Sequence, residues 1–363
     1  MSIPLYILKR ILSAIPTLLI ISMISFLMMR YDFTIGPIEI PTGGGHGLHV
    51  LEATRFKNPI NPLAGIETNP QISEAAKAQI RHVMGLDQPM PVQYWRWLTN
   101  FFSVHPEELP KGNWAGFFTP SLGTTFAGED VLEILIKRGG NTLLLNLVVF
   151  AFSWLIALPL GIFAALRWRS LADRLMTVFA AVGMSLPGFV LALLLAVFAV
   201  KTGWFPLGGI QSDNYDQLSF LEKIGDRAMH LALPAIVLIV GSLASIQRQM
   251  RANLLDVLAA EYIRTARAKG LPEKQVIYRH AVRTALNPLI TMLGYEFSGL
   301  LGGAILVETV LGFPGLGQLA YKAVIETDTN LVMSTIILSA AMLVVGNLFA
   351  DILLKFADPR IEL

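Results

Sequence analysis

Six stretches of this chain each carry at most one charged residue over a bilayer-spanning length, near residues 11–29, 141–166, 175–200, 231–247, 286–307 and 331–354. A hydrocarbon core of roughly 30 Å is crossed by about 20 apolar residues in a helix. The backbone must satisfy its own polar groups there. These runs therefore predict an all-α integral membrane protein with six transmembrane helices. Composition agrees, since 54% of the residues are hydrophobic and 15% charged, against about 25% charged in soluble domains. Lys9-Arg10 precede the first run as they would in a signal peptide. That run is longer than an ordinary signal core and no small-residue cleavage site follows Met29, so it is expected to be a retained helix.

Basic residues orient the segments. A cytoplasmic N-terminus places fifteen Lys and Arg on that side, eight of them within 248–283. The opposite short loops, 201–229 and 308–330, hold four: Lys201, Lys223, Arg227 and Lys322. This bias predicts that both termini are cytoplasmic. The domain expectation is an N-terminal membrane helix over 1–30, an external (periplasmic) region over 31–135, and a membrane core over 136–363 containing a cytoplasmic loop at 248–285 between segments four and five. A net charge of +2 gives no argument for nucleic acid, and the absence of cysteine excludes disulfides, thiolate metal sites and cysteine nucleophiles.

The external region opens with Gly43-Gly44-Gly45 and several prolines, which reads as irregular loop. From Ser73 the pattern turns helical, with Ser73 as N-cap and Gly85 as the stop. "PVQYWRWLTNFF" (91–102) reads as a second, aromatic helix, lying at the membrane surface or packing on the external domain. Within the membrane, Pro159, Pro187 and Pro234 predict kinks, and Gly299 and Gly303 form a GxxxG pair for close helix approach. Glu296 sits near the middle of segment five, where an ionised group facing lipid costs about 2.5–3.5 kcal/mol. It should face a translocation path or a neighbouring helix. An intramembrane aspartyl pair is missing, since Asp351 is the single acid of segment six, near its cytoplasmic end.

Enzyme chemistry finds little support. No G-x-x-x-x-G-K-[ST] is present to cradle ATP, and no H-E-x-x-H to hold zinc. Ser185 in "GMSLPG" lacks a histidine placed as its base. His46 and His49 read as surface or as a weak metal site.

The cytoplasmic loop is the most pointed feature. "EYIRTARAKG" (261–270) lies within an amphipathic helix expected over 256–270, with Val257, Ala260, Ile263 and Ala266 on one face and Arg264, Arg267 and Lys269 off it. Gly270 suits the left-handed helix stop, and Pro272 with Glu273 suits the start of the next helix. The result is a helix–Gly–helix elbow. Positive charge for topology and anionic lipid explains the basic residues but not the glycine and proline.

"EYIRTARAKG" followed by "HAVRTALNP" resembles the cytoplasmic signature of permease subunits of binding-protein-dependent ABC importers. Thr265-Ala266 fall in the family's E-A-A triplet and Gly270 on its glycine; Val282-Arg283 replace the usual Leu-Pro, and Pro288 lies further on, as in the dipeptide/oligopeptide/nickel branch. "GLDQPMPVQYWRWL" (85–98), "GMSLPGFVLALLL" (183–195), "VETVLGFPGLGQL" (307–319) and "ADPRI" (357–361) resemble that branch too. Tracts 36–70 and 103–119 do not match its short forms.

The resemblance implies the first of two permease subunits in a bacterial inner membrane. Its expected partners are a second homologous permease, two ATPase subunits and an external substrate-binding protein. No cofactor is expected in this chain, with ATP and Mg held by the ATPase. Glu261, Arg264, Thr265, Ala266, Arg267, Lys269 and Gly270 would couple to that ATPase. From the residues themselves and not from the resemblance, Glu296, Gly299, Gly303, Gly312, Gly315 and Gly317 would line the path or its gate. Residues 73–102 and 308–322 would form an external dock and gate, the bland reading of the latter being a connecting loop, with the glycines permitting a tight non-helical turn. An ion-coupled secondary transporter acting without an ATPase, and a receptor or assembly factor, are the alternatives.

Overall fold

The structure, a computed structural model, describes residues 3–30, 72–83, 87–101, 122, 125, 128–290, 292, 296, 304–326 and 328–357. Its elements are helical: α1 (Ile3–Arg30), α2 (Glu74–Val83), α3 (Met90–Phe101), α4 (Val131–Leu166), α5 (Leu171–Ser185), α6 (Gly188–Thr202), α7 (Phe220–Leu258), α8 (Glu261–Ala268), α9 (Ile305–Leu311), α10 (Leu316–Ile325) and α11 (Thr329–Ala357). Between α8 and α9, short helical pieces run Glu273–Gln275, Val276–Ala281 and Val282–Ala285. The middle piece is a π-turn, a local widening that periodicity does not reveal.

Four of the described helices are long and apolar enough to cross a membrane, or up to five if α5 and α6 together count as one span. The third segment differs from the expected single helix. It breaks at Leu186-Pro187, and its halves are bent by 96°. The cause is local: the residue before a proline is pushed out of the α region, and Leu186 has φ −78° and ψ 119°. Pro159 and Pro234, by contrast, lie inside uninterrupted α4 and α7. Most of the fifth segment, with Gly299 and Gly303, lies outside the described residues, as do Gly85, 36–70, 103–119 and most of "ADPRI".

The chain divides into two compact units. One comprises Met1–Ala14, Lys137–Leu319 and Ala341–Leu363; the other comprises Ile15–Ile136 and Ala320–Ala340. In the first, α7 is the shared spine. It begins eleven residues before its expected start, behind a capping box in which Ser219 and Glu222 satisfy each other's backbone N–H groups. Toward one end, Leu231 and Ala235 pack with Leu145 and Val149 of α4 and with Phe313. Leu233 and Val237 pack with Ala192 and Ala199 of α6 and with Val307 and Leu311 of α9. Toward the other end, Ile246, Met250 and Leu254 share a core with Ala157 and Ala165 of α4, Ile263 of α8, and Val276, Ala281 and Leu289. The approach of α4 to α7 is close at Gly161, where an added Cβ would lie 2.7 Å from Met250 Cβ. Only glycine fits there.

In the second unit, Ser73 caps α2 as expected, its hydroxyl accepting from Ala76 N at 3.2 Å. Helix α3 packs on the later part of α1: the Tyr94 and Ser22 hydroxyls share a hydrogen bond at 2.8 Å, and Tyr94 meets Phe26 edge-on at 5.5 Å. The aromatic helix thus lies against a membrane helix, with Trp95 left exposed.

Candidate functional site

The elbow differs from the expected 256–270 helix in one respect. Residues through Leu258 continue α7, the chain turns at Ala259-Ala260, and α8 starts at Glu261. Ile263 is fully buried, and Val257, Ala266 and Leu271 pack against the same core. Glu261, Arg264, Thr265, Arg267, Lys269 and Gly270 are exposed. The helix is therefore anchored by its apolar face and offers a polar one. Glu261 sits in the first turn, where a negative charge complements the helix dipole.

Two arginines hold this shape. Arg264 Nη1 donates to Glu261 Oε1 at 2.9 Å within α8, an exposed pair of little energetic weight. Arg267 reaches across the turn instead. Its Nη2 donates to Glu273 Oε1 at 2.8 Å and its Nε to Oε2 at 3.1 Å, clasping both sides of the elbow. The Arg267 hydrogen bond holds the Glu273 carboxyl below the ordinary glutamate range. Between them Gly270 adopts φ +78°, with nothing within 4 Å of where a Cβ would stand. Its constraint is conformational and not steric crowding.

At the other end of α7 lies the "VETVLGFPGLGQL" segment. Gly312 ends α9 in the left-handed region at φ +67°, as a tight turn requires. Gly315 and Gly317 serve another purpose than the expected turn freedom: they make room. A Cβ on Gly315 would lie 2.5 Å from Glu308 Cδ, and one on Gly317 would lie 2.8 Å from Ile305 Cα. Gly317 belongs to α10. The group they accommodate, the fully buried Glu308 carboxylate, was not among the expected site residues. Its Oε1 accepts from Thr142 Oγ1 at 3.3 Å and its Oε2 from Gln318 N at 2.9 Å. Thr142 Oγ1 in turn accepts from Leu316 N at 2.8 Å, and Asn141 Nδ2 donates to the Pro314 carbonyl at 2.8 Å. Glu308 lies within "VETVLGFPGLGQL", four residues before the first of its glycines, Gly312. A lone acid in an apolar run just before a Gly-Phe-Pro turn was the available signal.

The acids of the fifth and sixth apolar segments are also partnered. Glu296 is half-buried, and Trp154 Nε1 of α4 donates to its Oε2 at 3.4 Å, so it faces a neighbouring helix. Asp351 is tied to the first helix: Tyr6 donates to its Oδ2 at 2.7 Å, and Arg10 Nη2 lies 3.1 Å from the same oxygen. Its partners stand about 340 residues away in sequence, beyond the reach of any local pattern. A third tie joins α5 to α7, where Arg251 forks onto buried Asp173 with Nη2 to Oδ2 at 2.9 Å. No group of three or more metal-ligating side chains occurs among the described residues.

Residues 157–363 match the family model described as the binding-protein-dependent transport system inner membrane component, and residues 56–146 match its N-terminal companion. The chain is similar to the oligopeptide transport system permease protein AppB of Bacillus subtilis, with 36% identity covering 98% of this chain and 99% of that one. A putative peptide permease protein of Brucella ovis is 36% identical over 84% of this chain and 90% of its own length. The oligopeptide transport system permease protein OppB of Mycobacterium bovis is 32% identical over 86% and 89%. Among solved structures, a chain of the MetNI methionine ABC transporter in inward-facing conformations aligns at TM-score 0.45 and 19% identity, covering 61% of this chain and 97% of that one.

Proposed function

This chain belongs to the family of binding-protein-dependent transport system inner membrane components, and from that premise we propose that it is the peptide-class permease in which the 261–270 elbow receives the drive of a separate ATPase. The family is one of transport components, integral to the inner membrane, which does not favour an ion-coupled transporter working alone. Peptide or peptide-like cargo is supported by relatives named as oligopeptide and peptide permeases. The finer reading keeps six spans with both termini cytoplasmic, a membrane helix over 1–30, an external region over 31–135 and a core over 136–363. Its partners would be one homologous permease, two ATPase subunits holding ATP and Mg, and an external binding protein.

The observation that carries the coupling role is the elbow itself. A helix pinned by buried Ile263 presents Glu261, Arg264, Thr265, Arg267 and Lys269, with Ala266 beneath, and closes on Gly270. A β-branched residue at Gly270 meets no neighbour, yet the left-handed conformation costs it about 1–2 kcal/mol. Gly270→Val should therefore leave insertion intact while abolishing transport and uncoupling ATP hydrolysis in the co-purified complex. Substrate-stimulated turnover at the parental rate would remove the elbow from the coupling path.

The same reading makes 308–322 part of an external gate and 73–102 part of a dock for the binding protein. Gln318 is partly exposed and its side chain accepts from Arg138 Nη1 at 3.3 Å. Photo-cross-linkers at Gln318 and at Tyr94 should capture the binding protein during turnover. If neither does so in a transporter that still works, the dock and gate assignment fails.

A further inference from the structure

A helix leaves its first N–H groups without intrahelical partners, and the N-cap side chain ordinarily takes one of them. The N-cap of α10 is Gly315, whose carbonyl accepts the first intrahelical bond from Leu319 N at 3.2 Å. Glycine has no side chain to offer. The missing acceptors come from two other helices. Thr142 Oγ1 of α4 takes Leu316 N, and Glu308 Oε2 of α9 takes Gln318 N, the third helical position where a cap normally binds. Thr142 then donates its own proton to Glu308 Oε1, which fits a hydroxyl's capacity for one donation plus acceptance. Gly315 is bare because the space for its side chain is filled by the Glu308 carboxyl group, whose Cδ and both oxygens stand 2.5–2.6 Å from where its Cβ would lie.

The cap of α10 has thus been moved from the chain's own N-cap residue to a buried carboxylate seven residues earlier. A local cap would hold α10 to itself. This one ties the start of α10 to α9 and, through Thr142, to α4. Asn141, next to Thr142, holds the Pro314 carbonyl in the same turn. On the far side of the turn, Gly209 N donates to the Gly312 carbonyl at 3.2 Å.

We propose that Glu308 is a positioning residue of the transporter: its carboxylate, acting as a displaced N-cap, holds the 312–318 turn shut against the bundle. The inference rests on the reading of 308–322 as an external gate. Its loss should free the turn and release ATP hydrolysis from dependence on the binding protein.

The test uses the assembled transporter in proteoliposomes, with backbone hydrogen exchange over 312–320 and ATPase activity without binding protein as two readouts. Glu308→Ala should speed exchange at Gln318 about fivefold, the usual weight of a lost cap, and raise binding-protein-independent hydrolysis several-fold. Gly315→Asp alone should also loosen the turn, because the new side chain collides with Glu308. Combined, Glu308→Ala/Gly315→Asp should restore slow exchange, since aspartate caps in the vacated space. Glu308→Ala/Gly315→Ala fills that space without an acceptor and should not. Glu308→Gln keeps an oxygen for Gln318 N and should stay near parental exchange, whereas Glu308→Met keeps the bulk without that acceptor and should exchange as fast as the alanine variant, which preserves the test if the latter fails to assemble. Unchanged exchange in Glu308→Ala, or equal rescue by Ala and Asp at 315, overturns the cap. Exchange that rises and is rescued while hydrolysis stays binding-protein-dependent leaves Glu308 positioning the turn and removes the gate reading.

Discussion

Glu296 shows how a single side chain narrows a functional reading. A carboxylate in the fifth apolar segment is costly if it faces lipid, and the structure turns it toward Trp154 of α4. We propose that this residue, as part of the path, favours cargo bearing an amine or other cation through Coulomb attraction in a partly dry passage. Glu296→Gln keeps the shape and the Trp154 bond while removing the charge. It should slow transport of cationic peptides several-fold more than neutral ones, with binding-protein affinity unchanged. Equal effects on both cargoes would leave Glu296 a packing contact only.

Between elements, the tie of Tyr6 and Arg10 to Asp351 joins the first helix to the last within one compact unit. Tyr6→Phe removes one hydrogen bond, typically about 0.5–1.5 kcal/mol, and should lower the thermal midpoint of the solubilised transporter. Asp351→Ala removes the shared acceptor and should cost more. Because both changes delete the same contact, their effects should combine to less than their sum; strict additivity would mean that the two helices are not joined there. Legibility follows the range of each interaction. Apolar length placed α1, α4, α7 and α11, and Ser73 and Gly270 behaved as their local chemistry required. The early start of α7 was also written locally, in Ser219-x-x-Glu222, behind a polar loop that disguised it. The right-angled break at Pro187 followed a rule that Pro159 and Pro234 escape, so the proline alone could not announce it. Glu308 stands out locally as a lone acid in an apolar run, but its partners, like those of Asp173 and Asp351, are brought by the fold and lie beyond any local pattern.

At the scale of the whole chain, ATP chemistry and solute recognition are proposed to reside on other subunits, and what this protein supplies is connection. Three separate cores, one joining the elbow and two meeting the 307–313 stretch, all draw on α7. That helix is a single run of 39 residues, about 58 Å long at 1.5 Å per residue. Geometry then sets a gear ratio. Were α7 to pivot about its elbow end by 5°, its opposite tip would sweep about 5 Å, roughly the height of one helical turn. A movement that barely displaces the elbow end is thus large enough toward the far end to carry Leu231 and Ala235 sideways against Leu145 and Phe313.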